Sequence, residues 1–132
     1  MRRIFISHSS LDEGAAFEIR DWLVTQGWAD VFLAHDPLKG IAPGELFREE
    51  LRKAGENAAA VVLIISPNWM NSSECWLEYM LARYLGKLIL PVIVAPTQHK
   101  DLPSVLTDVF QIADISDPAE KTTQLNRLRL GL

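Results

Sequence analysis

Ala58-Ala59-Ala60-Val61-Val62-Leu63-Ile64-Ile65, ending at Ser66-Pro67 and followed by Ser72-Ser73-Glu74-Cys75-Trp76-Leu77-Glu78-Tyr79, decides the fold. The first run is apolar without interruption and rich in Val and Ile, the pattern of a parallel strand covered on both faces, and it predicts a strand over about 59–66. After a loop holding Asn68 and Trp69, Ser72 or Ser73 can accept from the first free amides of a helix that runs to about Gly86, with Lys87 completing the stop signal. Glu78 falls in the second turn. Residues three and four apart share a helix face, so Glu78 is aligned with Cys75, Ala82 and Leu85. A carboxylate among small and apolar residues must be paired, solvated in a cleft, or used.

Upstream, Ile4-Phe5-Ile6 reads as a short buried strand. Ser10 and Glu13 have the spacing of a capping box that opens a helix, along which Ala15, Ala16, Ile19, Trp22 and Leu23 recur at helical spacing up to Gly27. Asp30-Val31-Phe32-Leu33 is a second strand. The segment from Ala34 to Gly44, punctuated by Pro37, Gly40, Pro43 and Gly44, is too long for a mere connector. A helix with a narrow apolar stripe is expected from Glu45 to Gly55. Downstream, Leu88 to Val94 is a fourth strand. Pro91 inside it lacks a donor, which suggests a position near the sheet's side or a local irregularity. A loop from Ala95 to Ser104, one helical turn expected at Val105-Leu106, a weaker strand from Val109 to Ile115 and a last helix from Asp117-Pro118 through Leu128 complete the chain.

Strands that alternate with helices imply a parallel sheet with right-handed crossovers. The fold class is therefore α/β, a flavodoxin-like three-layer fold with a five-stranded parallel sheet of order 2-1-3-4-5 and helices on both faces. In that fold ligands bind beyond the carboxyl ends of the strands, at the switch point between strands one and three. Ser7, His8, Ser9 and Ser10 follow strand one, while Asn68, Trp69 and then Glu78 follow strand three, so the two loops should converge on one cleft.

Composition narrows the function. The 132 residues, 48% hydrophobic, fit one globular domain with its own core. A net charge of −4 and pI near 5.3, with no basic run beyond Arg2-Arg3, argue against a nucleic-acid surface. No apolar run approaches the ~20 residues of a membrane helix, and the polar Ser7-His8-Ser9 arrives too soon for a signal peptide. The lone Cys75 excludes an internal disulfide and a multi-cysteine metal site, and it suits a reducing cytoplasm.

Familiar sites can be weighed against these residues. A phosphate-accepting receiver needs clustered acids at the ends of strands one and three, where this chain has Ser7-His8-Ser9 and Ser66-Pro67. Gly40-Ile41-Ala42-Pro43-Gly44 has neither the P-loop ending nor the dinucleotide spacing. No Gly-x-Ser-x-Gly elbow is present, and His8 and His35 read as solvated or capping residues. One carboxylate among hydroxyls and aromatics suits cleavage of a glycosidic bond to a good leaving group, because an anion stabilises the oxocarbenium-like centre. A pyridinium leaving group needs no general acid.

Phe5-Ile6-Ser7-His8-Ser9-Ser10, the loop His35-Asp36-Pro37-Leu38-Lys39-Gly40-Ile41-Ala42-Pro43-Gly44, Ser66-Pro67-Asn68-Trp69 leading to Cys75-Trp76-Leu77-Glu78, and Gly86-Lys87 before Leu90-Pro91-Val92 together resemble the Toll/interleukin-receptor (TIR) domain in its bacterial form. The resemblance spans nearly the whole chain. It implies a single domain over 1–132, of the kind that forms the N-terminal part of a longer multidomain protein. It also implies cleavage of NAD to nicotinamide and ADP-ribose or a cyclic variant, with NAD as substrate and no cofactor or metal. Glu78 would be catalytic. Ser7, His8, Ser9, Ser10, Ile41, Gly44, Phe47, Trp69 and Cys75 would line the substrate site. The implied partners are NAD, other TIR domains or a downstream regulatory module, and further copies of the chain through the 34–44 loop, with no nucleic acid and no membrane. Catalytic members usually carry a tryptophan four residues before the glutamate, where this chain has Glu74. A like charge one turn away either raises the pKa of Glu78 or marks a non-catalytic interaction module.

Overall fold

The computed structural model describes residues 3–33, 58–95 and 112–132. In chain order the elements are β1 (Arg3–Ser7), a 3-10 turn (Ser10–Asp12), α1 (Glu13–Thr25), β2 (Asp30–Leu33), β3 (Ala58–Ile65), α2 (Pro67–Met70), α3 (Ser73–Tyr84), β4 (Leu88–Ile93), β5 (Ala113–Asp114) and α4 (Lys121–Gly131). The strands form one sheet in the order β2-β1-β3-β4-β5, every neighbouring pair parallel. The flavodoxin-like order expected from the sequence is the observed one. The helix expected from Glu45 to Gly55, the 34–44 loop and the turn at Val105-Leu106 lie outside the described residues.

Alternation along each strand sorts the core into two layers. Phe5, Val61, Leu63, Ile65, Ile89 and Ile93 point to one side, where Trp69 of α2 and Cys75, Tyr79 and Ala82 of α3 cover them. Ile4, Ile6, Ala60, Val62, Ile64, Leu90 and Val92 point to the other, under Ala16, Ile19 and Leu23 of α1 and Leu128 of α4. β3 is buried along nearly its whole length because both layers meet on it. The same alternation places Ser7, two residues beyond Phe5, on the side of α3. The only register irregularity in the β1–β3 pairing lies between Arg3 and Ile4, at the end of the sheet remote from Ser7.

Pro91 sits in the interior of β4, opposite Leu63. The Val94 amide donates to Ile65 of β3 and the Ile93 carbonyl accepts from Ile115, so odd-numbered residues of β4 turn their polar groups toward β5. Pairing with β5 begins at Val92, so the missing donor of Pro91 costs no ladder bond among the described residues.

Three local expectations are corrected. The Ser10/Glu13 capping box does not form. Ser9 caps the 3-10 turn instead, accepting from the Leu11 amide at 3.2 Å, and α1 starts at Glu13 with no side-chain bond from its N-cap Asp12. Asp12 is occupied elsewhere, by the segment that follows β3. The loop after β3 contains a one-turn helix, α2, capped by Ser66, whose hydroxyl accepts from the Trp69 amide at 3.0 Å. Finally, α4 begins at Lys121 after turns through Pro118, and of the strand expected over 109–115 the described residues show Ala113–Asp114, its first part lying outside them.

Candidate active site

α3 begins where the sequence places it. Ser72 accepts from the Cys75 amide at 3.2 Å, and Gly86, at φ +68°, takes the left-handed conformation that ends the helix. Counting from that cap turns Cys75, Glu78, Tyr79 and Ala82 onto the sheet. Glu78 is therefore carried into the protein beside the carboxyl ends of β1 and β3, where it is only 5% exposed.

The Ser7 hydroxyl donates to Glu78 Oε1 at 2.7 Å, and the Trp69 indole N–H donates to the same hydroxyl at 3.1 Å. Glu78 Oε2 is buried with no hydrogen-bond partner among the described residues. Burial pushes the Glu78 carboxyl up from 4.5 to about 8; the Ser7 hydrogen bond acts against that rise and the charge of Glu74 adds to it. Glu74 itself is exposed, so the two carboxylates of α3 face different surroundings. Burial also pushes the Cys75 thiol up to about 12, with hydrogen bonds from Ser72 and Ser7 working the other way. Cys75 is thus a neutral packing group and no nucleophile at physiological pH.

The described candidates fall into two groups. Ser7, Trp69 and Cys75 gather around Glu78, each enclosed by the fold. Trp69 is fully buried and lies against Trp76 with ring centres 4.8 Å apart, and Trp76 in turn packs edge-on against Tyr79. Its indole therefore serves packing and hydrogen bonding here and exposes no face for stacking. His8 and Ser9 are buried in the segment that leaves β1, and Ser10 is exposed at the start of the 3-10 turn. Ile41, Gly44 and Phe47 lie outside the described residues.

Asp12 escaped the sequence reading. Its carboxylate accepts from the Ser66 hydroxyl and, at 3.2 Å, from the Asn68 side-chain amide, which ties the segment after β1 to the segment after β3. An acid beside the switch-point loop, three residues from Ser9, was the available signal. Its place in a helix-start pattern concealed it.

The profile of the TIR domain family matches residues 4–129. Among solved structures, the TIR domain of the Toll-related receptor TRR-2 from Hydra magnipapillata is similar over 96% of this chain and 94% of that one, at 17% identity and a TM-score of 0.74. A CMP N-glycosidase, BcmB, from Clostridium botulinum is similar over 99% and 100% of the two chains, at 16% identity and a TM-score of 0.65. A 2-desoxiribosyltransferase from Leishmania mexicana is similar over 76% and 71%, at 18% identity and a TM-score of 0.53. At these identities the likeness speaks for the fold. Among curated proteins none matches the chain significantly.

Proposed function

The chain belongs to the TIR domain family, and on that premise we propose that it is an NAD glycohydrolase, cleaving NAD to nicotinamide and ADP-ribose or a cyclic ADP-ribose. We place it in the cytoplasm, as an effector of bacterial defence or signalling that self-association switches on. TIR domains generally interact with other TIR domains. No helix among the described residues is long and apolar enough to cross a membrane.

The observation that carries this reading is Glu78, a carboxyl buried at the switch point with one oxygen held by Ser7 and the other without a partner among the described residues. Burying such a group costs stability and gives no packing in return, which is the mark of a residue kept for chemistry. In the proposed reaction the bond between ribose C1′ and the pyridinium nitrogen breaks, and nicotinamide leaves as a neutral molecule with the bonding pair. Positive charge then develops at C1′, where the Glu78 anion stabilises it. Water adds to C1′ and releases a proton, or an adenine nitrogen adds to give the cyclic product. The pyridinium cation helps to create the anion it needs, because a positive charge beside a carboxyl lowers its pKa. That two structures of similar fold are named an N-glycosidase and a 2-desoxiribosyltransferase supports this reading.

Incubating concentrated protein with NAD and measuring released nicotinamide tests the proposal. Wild type should release it, and Glu78→Ala and Glu78→Gln should not. Equal turnover by Glu78→Gln removes Glu78 from the chemistry, and no release by wild type at any concentration removes the activity. The second reading is a non-catalytic module for TIR–TIR contacts. It is favoured by Glu74 in the place of the usual tryptophan and by Leu77, Met80 and Tyr84, which leave an apolar stripe exposed on the outer face of α3.

A further inference from the structure

We propose that a directed hydrogen-bond chain, anchored at Asp12 and passing through α2, Trp69 and Ser7, holds Glu78 by Oε1 and leaves Oε2 as the oxygen that carries and releases the carboxyl proton. The proposal deepens the glycohydrolase reading and rests on it for the identity of the reaction. Asp12, Trp69 and Ser7 are positioning residues, since each acts through the next.

The chain can be followed bond by bond. Asp12 accepts from the Ser66 hydroxyl and from the Asn68 side-chain amide. Those two residues belong to the cap and first turn of α2, and the Ser66 hydroxyl also accepts from the Trp69 amide at 3.0 Å. Asp12 thereby fixes α2, and α2 fixes the Trp69 indole, which is fully buried. The indole donates to Ser7 Oγ at 3.1 Å, and Ser7 donates to Glu78 Oε1 at 2.7 Å.

Donor and acceptor chemistry sets the direction. An indole N–H can only donate, so Ser7 must accept from it and is left with one hydrogen to give. That hydrogen meets Glu78 Oε1. A proton on Glu78 is therefore directed to Oε2, because one on Oε1 would compete with the Ser7 hydrogen for the same contact. Losing the proton bares Oε2 while Oε1 stays held, and a hydroxyl that accepts one bond becomes a stronger donor in the next. Four of the five bonds join segments that follow different strands or lie on different elements, so the arrangement depends on the closed switch point and not on one helix.

The test follows the Glu78 side-chain carboxyl by carbon NMR through a pH titration, in wild type, Ser7→Ala, Trp69→Phe, the double variant and Asp12→Ala. The midpoint should rise by about one pH unit in Ser7→Ala, as expected for a lost hydrogen bond to a charged group. It should rise less in Trp69→Phe. The double variant should match Ser7→Ala alone, since the indole acts only through the hydroxyl. Asp12→Ala should raise the midpoint in the same direction and speed exchange of the Trp69 indole proton. On NAD, Ser7→Ala should lower kcat about tenfold or more with KM within about threefold. An unmoved midpoint in Ser7→Ala, or additive shifts in the double variant, overturns the relay. If Ser7→Ala does not fold, an unmoved midpoint in Trp69→Phe overturns it. The titration needs no turnover, so a wild type inert toward NAD would defeat the glycohydrolase reading and leave the relay to be decided by the midpoints.

Discussion

Replacing Glu78 by Gln should stabilise this domain, and by an amount that grows with pH. The carboxyl titrates near 4.5 in an unfolded chain and at about 8 in the folded one, chiefly because burial disfavours its anion. Below pH 4.5 both states hold the proton and the residue costs nothing through ionisation. Between 4.5 and 8 the unfolded chain releases the proton while the folded chain keeps it, so stability falls as pH rises. Above 8 the loss is complete. At 1.36 kcal/mol per pH unit, the interval corresponds to an upper limit of about 5 kcal/mol. Gln has the same shape, can accept from Ser7 through its carbonyl and does not ionise, so it escapes this loss. Thermal melts of wild type and Glu78→Gln at pH 5, 7 and 9 check the argument. The two should melt within a few degrees of each other at pH 5. At pH 9 the variant should melt higher by roughly 10 °C, given about 3–5 °C per kcal/mol for a domain of this size and a retained effect of about half the limit. Parallel melting curves across the range, or a gap that narrows as pH rises, would refute the view that Glu78 is held as a neutral acid by burial.

The same titration should govern turnover. We expect kcat/KM for NAD to rise with pH along a limb near 8 and kcat to rise along a limb at lower pH, since bound pyridinium favours the anion; a flat profile from pH 6 to 9 would contradict the need for ionised Glu78. Ile64→Asp should abolish folding, because Ile64 is fully buried in β3 and an uncompensated charge there costs a large share of the stability of such a domain. A soluble variant with a cooperative melt would sink that expectation. Activity should climb faster than linearly with protein concentration, so that activity per molecule rises, and it should rise on fusion to an artificial oligomer, as expected if neighbouring copies complete the site. Constant activity per molecule would show that each copy suffices alone.

Apart from the one-turn helix α2, the strands and helices of the described residues were legible because their signals are local. An unbroken apolar run such as Ala58 to Ile65 is a doubly covered strand in almost any context, and the period of α3 can be counted from Ser72 without knowing what it packs on. The order of the sheet followed from alternation and the handedness of crossovers, and that order brought the ends of β1 and β3 together. By itself, then, the sequence determined the topology and put Glu78 on the face of α3 that the sheet covers. It could not choose among Ser7, Ser9 and Ser10 as the partner of Glu78, nor show that Trp69 turns its indole inward, nor connect Asp12 to Ser66 across 54 positions of chain. Those choices depend on which side of the sheet the last residue of β1 faces and on how close the two loops approach. Hydrogen bonds discriminate over tenths of an ångström, whereas the apolar pattern that builds the fold tolerates any packing that fills the space. Tertiary structure alone decides them, because each needs two segments that become neighbours only after the sheet has closed.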